Sequence, residues 1–203
     1  TTAARDTKET ENLVNKSLRL MIFLLFPMVT LLMIYAPQVL HLFYGNQYAA
    51  AERPLQVYAF GVGFLTVFYV LSFALNGAGL VKIPMKLAFF GFLGMIGLNF
   101  LLIPKWSLIG AALSTTLVSI AVAIAILIAV ERHFRVRLAP KTLFVSLGSV
   151  IVLIFGSYIL PSGPYGFLVS GTLLTCLYFT LLRFSGELTD TDIAPLTRLF
   201  KKK

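Results

Sequence analysis

Long apolar runs, separated by short polar segments, dominate this chain. Crossing a bilayer takes roughly 20 mostly apolar residues in a helix. The runs are continuous rather than alternating, which is typical of membrane helices and not of barrel strands. The pattern therefore predicts an all-α, polytopic integral membrane bundle of about six transmembrane helices. The six predicted spans are 20–35, 55–75, 83–103, 108–130, 143–160 and 165–182.

The composition supports a membrane protein. Hydrophobic residues make up 58% of the chain, charged residues make up 12%, and 18 residues are Phe. A soluble domain is about 45–50% apolar and about 25% charged. A soluble domain of this length could not bury so much apolar side chain, so the chain needs a bilayer around it.

Lys and Arg are distributed unevenly among the segments that connect the predicted spans. The N-terminal segment, the second and fourth connections and the C-terminal end together hold fifteen of the 17: Arg5, Lys8, Lys16, Arg19, Lys82, Lys86, Arg132, Arg135, Arg137, Lys141, Arg183, Arg198, Lys201, Lys202 and Lys203. The first and third connections hold only Arg53 and Lys105. By the positive-inside rule, both termini are predicted to be cytoplasmic, in the cytoplasmic membrane. Anionic lipid accounts for the net charge of +9, and no nucleic acid partner is implied.

Small residues mark where the helices are expected to meet. Membrane helices associate through close backbone contact, because lipid supplies no hydrophobic drive between them. Glycines recur on the third predicted span, and small residues recur every four positions on the fourth. The predicted helix-packing residues are Gly91, Gly94, Gly97, Ala111, Thr115, Ser119 and Ala123.

Catalytic and metal-binding patterns are missing from the sequence. None of the eight acidic residues lies within an apolar run, and neither His41 nor His133 belongs to a metal-ligand cluster. Cys176 is the single cysteine. We therefore predict no enzyme activity, no metal site and no cofactor. An intramembrane carboxylate for proton or sodium coupling is also missing from these runs.

Five polar residues near or within the spans are candidates for substrate binding. Asn76 and Asn99 can hydrogen-bond a neighbouring helix or line a substrate path. Arg53, Lys82 and Lys86 can extend their charges to the interface, or they can pair with the phosphate oxygens of a substrate.

Three ordered motifs resemble a known family. They are Phe-Tyr-Gly-Asn-Gln-Tyr with Ala-Ala and Leu at 43–55, Leu-Asn-Gly-Ala-Gly with a lysine at 75–82, and Asn-Phe-Leu-Leu-Ile-Pro-Lys with Gly-Ala-Ala and Ser-Thr at 99–115. They resemble the F-G-x-x-Y…A…L, L-x-G-x-G-x-x-K and N-x-x-L-I-P-x-x-G-x-x-G-A-A-x-A-T segments of polysaccharide flippases of the multidrug/oligosaccharidyl-lipid/polysaccharide exporter superfamily. Tyr44 interrupts the first motif, and Trp106-Ser107 replaces an aromatic–Gly pair.

The resemblance implies the C-terminal part of a transporter with about fourteen spans. Such a transporter flips polyprenyl-diphosphate-linked oligosaccharide across the cytoplasmic membrane for cell-surface polysaccharide biosynthesis, including O-antigen, lipopolysaccharide and exopolysaccharide. Its partners would be membrane lipid, the lipid-linked sugar, and an N-terminal transmembrane half of the same protein that is absent here. The implied division is a polar lead-in at 1–19, four helices of the second lobe at 20–135, two C-terminal helices at 136–184 and a basic tail at 185–203.

Two other functions are compatible with the apolar pattern. A multidrug or cation exporter of the same superfamily would favour intramembrane acids, which this segment lacks. A membrane scaffold subunit without transport activity would explain the small-residue ridges but not the ordered motifs.

Overall fold

The computed structural model describes residues 2–134, 140–159 and 166–184. These residues form five α-helices and one 3-10 helix, and no strand occurs among them. The predicted all-α membrane bundle is confirmed. The helices are α1 (Thr2–Tyr44), α2 (Glu52–Gly77), α3 (Lys82–His133), α4 (Pro140–Ile159) and α5 (Gly166–Phe184), with the 3-10 helix at Gly45–Ala51 between α1 and α2. The predicted basic tail at 185–203 lies outside the described residues.

Helix α3 is a hairpin of two arms, because Ser107 breaks its helical path. Ser107 has φ 47° and ψ −123°, far from helical values. A Cβ atom built on Gly91 would lie 2.8 Å from Cγ1 of Val122, so the first arm (82–106) packs antiparallel against the second (108–133). Near the turn, a Cβ on Gly110 would collide with the carbonyl oxygen of Leu102. The two arms correspond to the predicted spans 83–103 and 108–130.

Three stretches of the described chain are long and apolar enough to cross a membrane. They are Val14–Gly77, Lys82–His133 and Gly166–Phe184. The first contains α1 from Val14 onward and all of α2, and the second contains both arms of α3, so the three stretches hold five of the six predicted spans. In α4 the apolar helix Ser146–Ile159 is shorter than the other stretches.

Helix α1 is much longer than its predicted span of 20–35. It begins at Thr2 and continues through Pro27 and Pro37 to Tyr44. The polar lead-in is therefore the start of α1, and the division between residues 19 and 20 stays a prediction within one continuous helix. Residues 38–44, which lie beyond the predicted span, are helical as well.

A cluster of buried side chains joins α1, α2 and α3 at one end of the bundle. Val14 and Leu18 of α1 meet Leu75 of α2 and Val130 and other residues of α3. The start of α1, the end of α2 and the end of α3 therefore lie together. We call this end, defined by Val14, Leu75 and Val130, the basic end, because the lysine- and arginine-rich connections adjoin it. The opposite end is called the far end.

A second cluster joins α1 to α4 and α5. Phe23 and Tyr35 of α1 pack with Leu153 of α4 and with Leu174 and further residues of α5. The ring centroids of Tyr35 and Phe167 are 6.0 Å apart. Helix α1 is thus the central helix: it packs against α2 and shares the first cluster with α3, and it packs against α4 and α5 through the second cluster.

Helix α2 and the second arm of α3 cross at very short range. A Cβ on Gly61 would lie 2.8 Å from Cα of Thr116. The Thr116 hydroxyl lies 2.9 Å from the carbonyl oxygen of Val57 on α2 and 2.8 Å from that of Ala112 on its own helix, and its hydrogen can be donated to either. Close approach at a glycine and an interhelix hydrogen bond are the contacts that hold membrane helices together.

Candidate functional site

The turn between α2 and α3 positions three of the predicted substrate-binding residues at the basic end. Gly79 has φ 78°, its N–H donates to the carbonyl of Asn76 at 3.0 Å, and the N–H of Leu80 donates to that of Leu75 at 2.9 Å. These two bonds and the left-handed glycine form a Schellman motif, which ends α2 with its last carbonyls paired. Leu80 also packs against the cluster that contains Leu75. The Leu-Asn-Gly-Ala-Gly motif noted in the sequence therefore forms a hydrogen-bonded turn between α2 and α3.

Lys82 and Lys86 follow this turn on the first arm of α3. Both are exposed, and residues four apart lie on the same face of a helix. Between them Ile83, and one residue further Leu87, pack against the basic-end cluster and fix the direction of this first turn. The exposed Asn76 lies on the other side of the turn. The structure therefore brings Asn76, Lys82 and Lys86 to one end of the bundle, with two cations and an amide exposed together.

Further basic residues adjoin the same end. Arg132 and His133, both exposed, close the second arm of α3, next to Val130 of the cluster. On α1, the Arg19 guanidinium lies 5.5 Å from the ring centroid of Phe23, within cation–π range. The positive-inside count placed all three of these basic segments on one side, and their meeting at a shared cluster is consistent with that alternation.

Arg53 and Asn99 are not part of this group. Arg53 is exposed in the first turn of α2, and the 23 residues between it and Asn76 correspond to about 35 Å of helix. Asn99 lies on the first arm of α3, about 20 Å along the helix from Lys86 and toward the far end. Its Oδ1 atom is buried, and no described residue hydrogen-bonds it. The structure thus divides the five candidates between two ends of the bundle.

The predicted packing residues differ in how closely they meet a neighbour. Gly91 makes the closest approach, a Cβ on Gly94 would lie 3.9 Å from Val118, and a Cβ on Gly97 would have no described atom within 4 Å. A packing role for Gly97 stays a prediction.

On the second arm of α3, burial follows a stripe slightly rotated from the predicted ridge. Ser119 and Ala123 are buried, whereas Ala111 and Thr115 are half-buried and the adjacent Ala112 and Thr116 are buried instead.

Three residues that contribute to helix contact were not singled out from the sequence. Gly61 and Thr116 form the crossing of α2 and α3, and a small residue in mid-span was the available signal for the first. Gln56, whose side chain reaches the backbone of α1, carried no signal at all, because its partner is a carbonyl group 23 residues earlier.

Comparison with known proteins shows which family the sequence matches. The family described as "Lipid II flippase MurJ" matches residues 1–176. An uncharacterised membrane protein, MJ1068, of Methanocaldococcus jannaschii is 35% identical over 88 residues. That match covers 43% of this chain and 17% of the relative, so the chain spans a small part of the relative's length. A comparison with solved structures found no match.

The family match decides how much of the predicted resemblance stands. It supports the flippase superfamily inferred from the three motifs, and a multi-pass location in the cell membrane. It does not support the polysaccharide-specific branch, because the matching family is named for lipid II. The matched region of 1–176 includes all of α1 to α4 and much of α5, and on that basis the chain belongs to the lipid II flippase MurJ family.

Proposed function

We propose that this chain is the C-terminal part of a transporter that flips a polyprenyl-diphosphate-linked saccharide across the cytoplasmic membrane. The observation that carries the proposal is the flippase family match over residues 1–176. The membrane bundle and the alternation of its basic connections support it. An N-terminal transmembrane half, which would face these helices across a central cavity, is part of the proposal.

The basic end supplies a site for the diphosphate on the cytoplasmic side. Lys82 and Lys86 present two exposed ammonium groups on one helix face, and Asn76 adds an amide across a hydrogen-bonded turn. Lysine pairs with phosphate oxygens as a point charge. In this proposal the site receives the diphosphate of the lipid-linked substrate before it crosses the membrane.

The far end supplies different groups. Arg53 stands at the start of α2, and Asn99 has a buried amide oxygen without a described partner. A buried amide oxygen without a hydrogen bond costs free energy unless a partner arrives. We assign these two residues to contacts that the substrate makes late in the movement, after the diphosphate has left Lys82 and Lys86.

The family and the sequence motifs point to different saccharides on the lipid-linked substrate. Lipid II is the substrate for which the family is named, and it is the first candidate. A longer oligosaccharide for cell-surface polysaccharide is the second, because the three motifs resemble polysaccharide flippases. Both share the polyprenyl diphosphate, so the site at Lys82 and Lys86 serves either substrate.

Binding to the purified chain in nanodiscs tests the proposal. Undecaprenyl diphosphate, lipid II and a lipid-linked oligosaccharide would each be added, and native mass spectrometry would count bound molecules. We expect diphosphate lipids to bind and the Lys82→Gln/Lys86→Gln variant to lose most of that binding. The matched control is Lys105→Gln, since Lys105 is an exposed lysine at the tip of the α3 hairpin.

The other outcomes are equally informative. If the double variant loses phosphatidylglycerol binding to the same extent as diphosphate-lipid binding, the site accepts any anionic lipid. That result would overturn the diphosphate assignment. Unchanged binding in the double variant would remove Lys82 and Lys86 from the site. We also expect the 203-residue chain alone not to flip substrate in liposomes, because its cavity lacks a facing half; flipping by that chain would contradict the proposed two-half architecture.

A further inference from the structure

Pro37 leaves one carbonyl of α1 without its usual partner. In an α-helix the N–H of each residue donates to the carbonyl four residues earlier, and proline has no N–H. Helix α1 runs through Pro37, so the carbonyl of Met33 receives no α-helical bond from that position. The Nε2 atom of Gln56, on α2, lies 2.9 Å from that carbonyl oxygen and donates to it. A side chain of the neighbouring helix therefore replaces a backbone bond of α1.

Packing changes along α1 at the same place. Just before Pro37, Tyr35 and Ala36 are 4% and 0% exposed. Beyond it, the four residues from His41 to Tyr44 are all exposed, and the 3-10 helix Gly45–Ala51 that follows contains no buried residue. Between these two stretches Val39 is half-buried and packs against the second cluster, so α1 is lightly packed from His41 onward, and the missing backbone bond lies shortly before this change.

We propose that Pro37 and Gln56 form a latch that holds the far end of α1 against α2 and lets it swing away. A backbone hydrogen bond from residue 37 to the Met33 carbonyl would stay intact as long as α1 remained helical, whatever the direction of residues 38–44. The bond to Gln56 instead depends on how the Met33 carbonyl, at the start of the segment 33–37, stands relative to α2. The far end of α1 can therefore tilt about residues 33–37 by breaking one bond between helices, without unwinding α1.

This inference does not depend on the proposed transport function. It concerns the motion of one helix end and holds for any function of the chain. If the transport function is correct, the latch controls an opening at the far end, opposite Asn76, Lys82 and Lys86, where substrate would leave.

Amide hydrogen exchange of residues 38–44, read by mass spectrometry on the chain in nanodiscs, tests the latch. Gln56→Met keeps the length of the side chain and removes the donor. We expect it to speed exchange in this segment by roughly three- to eighteen-fold, the factor expected for one hydrogen bond between membrane helices. Pro37→Ala restores a backbone N–H at position 37, so we expect slower exchange than in the wild type.

The double variant Pro37→Ala/Gln56→Met separates a latch from general loosening. Once residue 37 can pair with Met33, Gln56 is no longer needed, so the double variant should exchange like Pro37→Ala alone. If Gln56→Met leaves exchange unchanged in the wild-type background, or speeds it equally in both backgrounds, the latch is wrong. Exchange of residues 20–30 serves as the internal reference and should stay constant in every variant.

A second variant with a shorter side chain keeps the latch testable if Gln56→Met does not fold. Gln56→Asn keeps the amide but falls short of Met33 by one methylene, so it should also speed exchange of residues 38–44, and only when Pro37 is present. If exchange in Gln56→Asn equals that of the wild type, the reach of the Gln56 side chain does not matter and the proposal fails.

Discussion

The Thr116 hydroxyl lies 2.9 Å from the carbonyl oxygen of Val57, at the point where Gly61 lets α2 and α3 approach. Val57 and Thr116 are 59 residues apart in the sequence, and neither group is charged. The contact shows how this membrane fold is held together: a missing side chain on one helix admits a small polar side chain of the other.

Replacing Gly61 by alanine should weaken the crossing of α2 and α3. The added methyl would lie 2.8 Å from Cα of Thr116, a backbone atom that cannot rotate away. We expect a loss of about 1–3 kcal/mol in the free energy of unfolding, the usual cost of overpacking. SDS titration in mixed micelles measures it. Gly77→Ala is the control, because a Cβ there meets no described atom within 4 Å; equal losses in both variants would contradict the crossing.

Replacing Thr116 by valine should cost the interhelix hydrogen bond while keeping the shape of the side chain. We expect a loss of about 0.6 kcal/mol, and at most about 1.7 kcal/mol, in the free energy of unfolding. Thr116→Ser keeps the hydroxyl and should lose less than the valine variant. If serine is the more damaging of the two, the methyl group and not the hydroxyl stabilises this contact.

Ser107→Gly should stabilise the hairpin of α3. Ser107 holds a positive φ of 47°, which costs a non-glycine residue about 1–3 kcal/mol. Glycine adopts that conformation without a Cβ penalty but has more freedom to lose on folding. The net gain should be about 1 kcal/mol, measured by the same SDS titration. Ser107→Ala keeps the positive φ with a Cβ and should change stability little. A loss of stability in Ser107→Gly would show that the backbone of Ser107 is not strained.

Gly91→Ala and Gly97→Ala should differ, although both lie on the first arm of α3. A methyl at Gly91 would lie 2.8 Å from Cγ1 of Val122, whereas one at Gly97 meets no described atom within 4 Å. We expect about 1 kcal/mol of destabilisation at Gly91 and none at Gly97. Adding Val122→Ala to Gly91→Ala should restore stability, because it removes the methyl group that the new Cβ would contact. Failure of that rescue would mean that the two arms are not in contact at Gly91.

The basic end should face the cytoplasm. Starting from Cys176→Ser, a single cysteine is placed at Ala78, in the α2–α3 turn, or at Lys105, by the tip of the hairpin. A maleimide that cannot cross membranes should label Lys105→Cys on intact cells, and Ala78→Cys only after permeabilisation. Labelling in the opposite order would reverse the orientation predicted from the lysine and arginine counts.

Hydrophobic patterning determined the all-α membrane class and the approximate limits of several spans. The bilayer acts on each residue separately, so a run of apolar residues identifies a helix without knowledge of its neighbours. That is why α2 matches the predicted 55–75 within a few residues and α5 matches 165–182. The same reasoning could not set the length of α1, because polar residues before Leu20 and after Tyr35 extend a helix once it has started.

The family signal was also present in the sequence, at the level of the superfamily. One of the three motifs has a clear physical role, because the Schellman motif around Gly79 ends α2. The motifs did not indicate the lipid II family within that superfamily. The departure at Trp106-Ser107 now has a structural meaning, since Ser107 occupies a position whose backbone favours glycine.

Only the tertiary structure decided which residues meet. Charge counts could place Asn76, Lys82 and Lys86 near the cytoplasmic side, but the turn at Gly79 and the packing of Ile83 and Leu87 determine how they stand together. Gln56 and Met33 show the limit most clearly. Periodicity reports which face of one helix is small or apolar, whereas a hydrogen bond between helices depends on their relative rotation and separation, which no single segment of sequence contains.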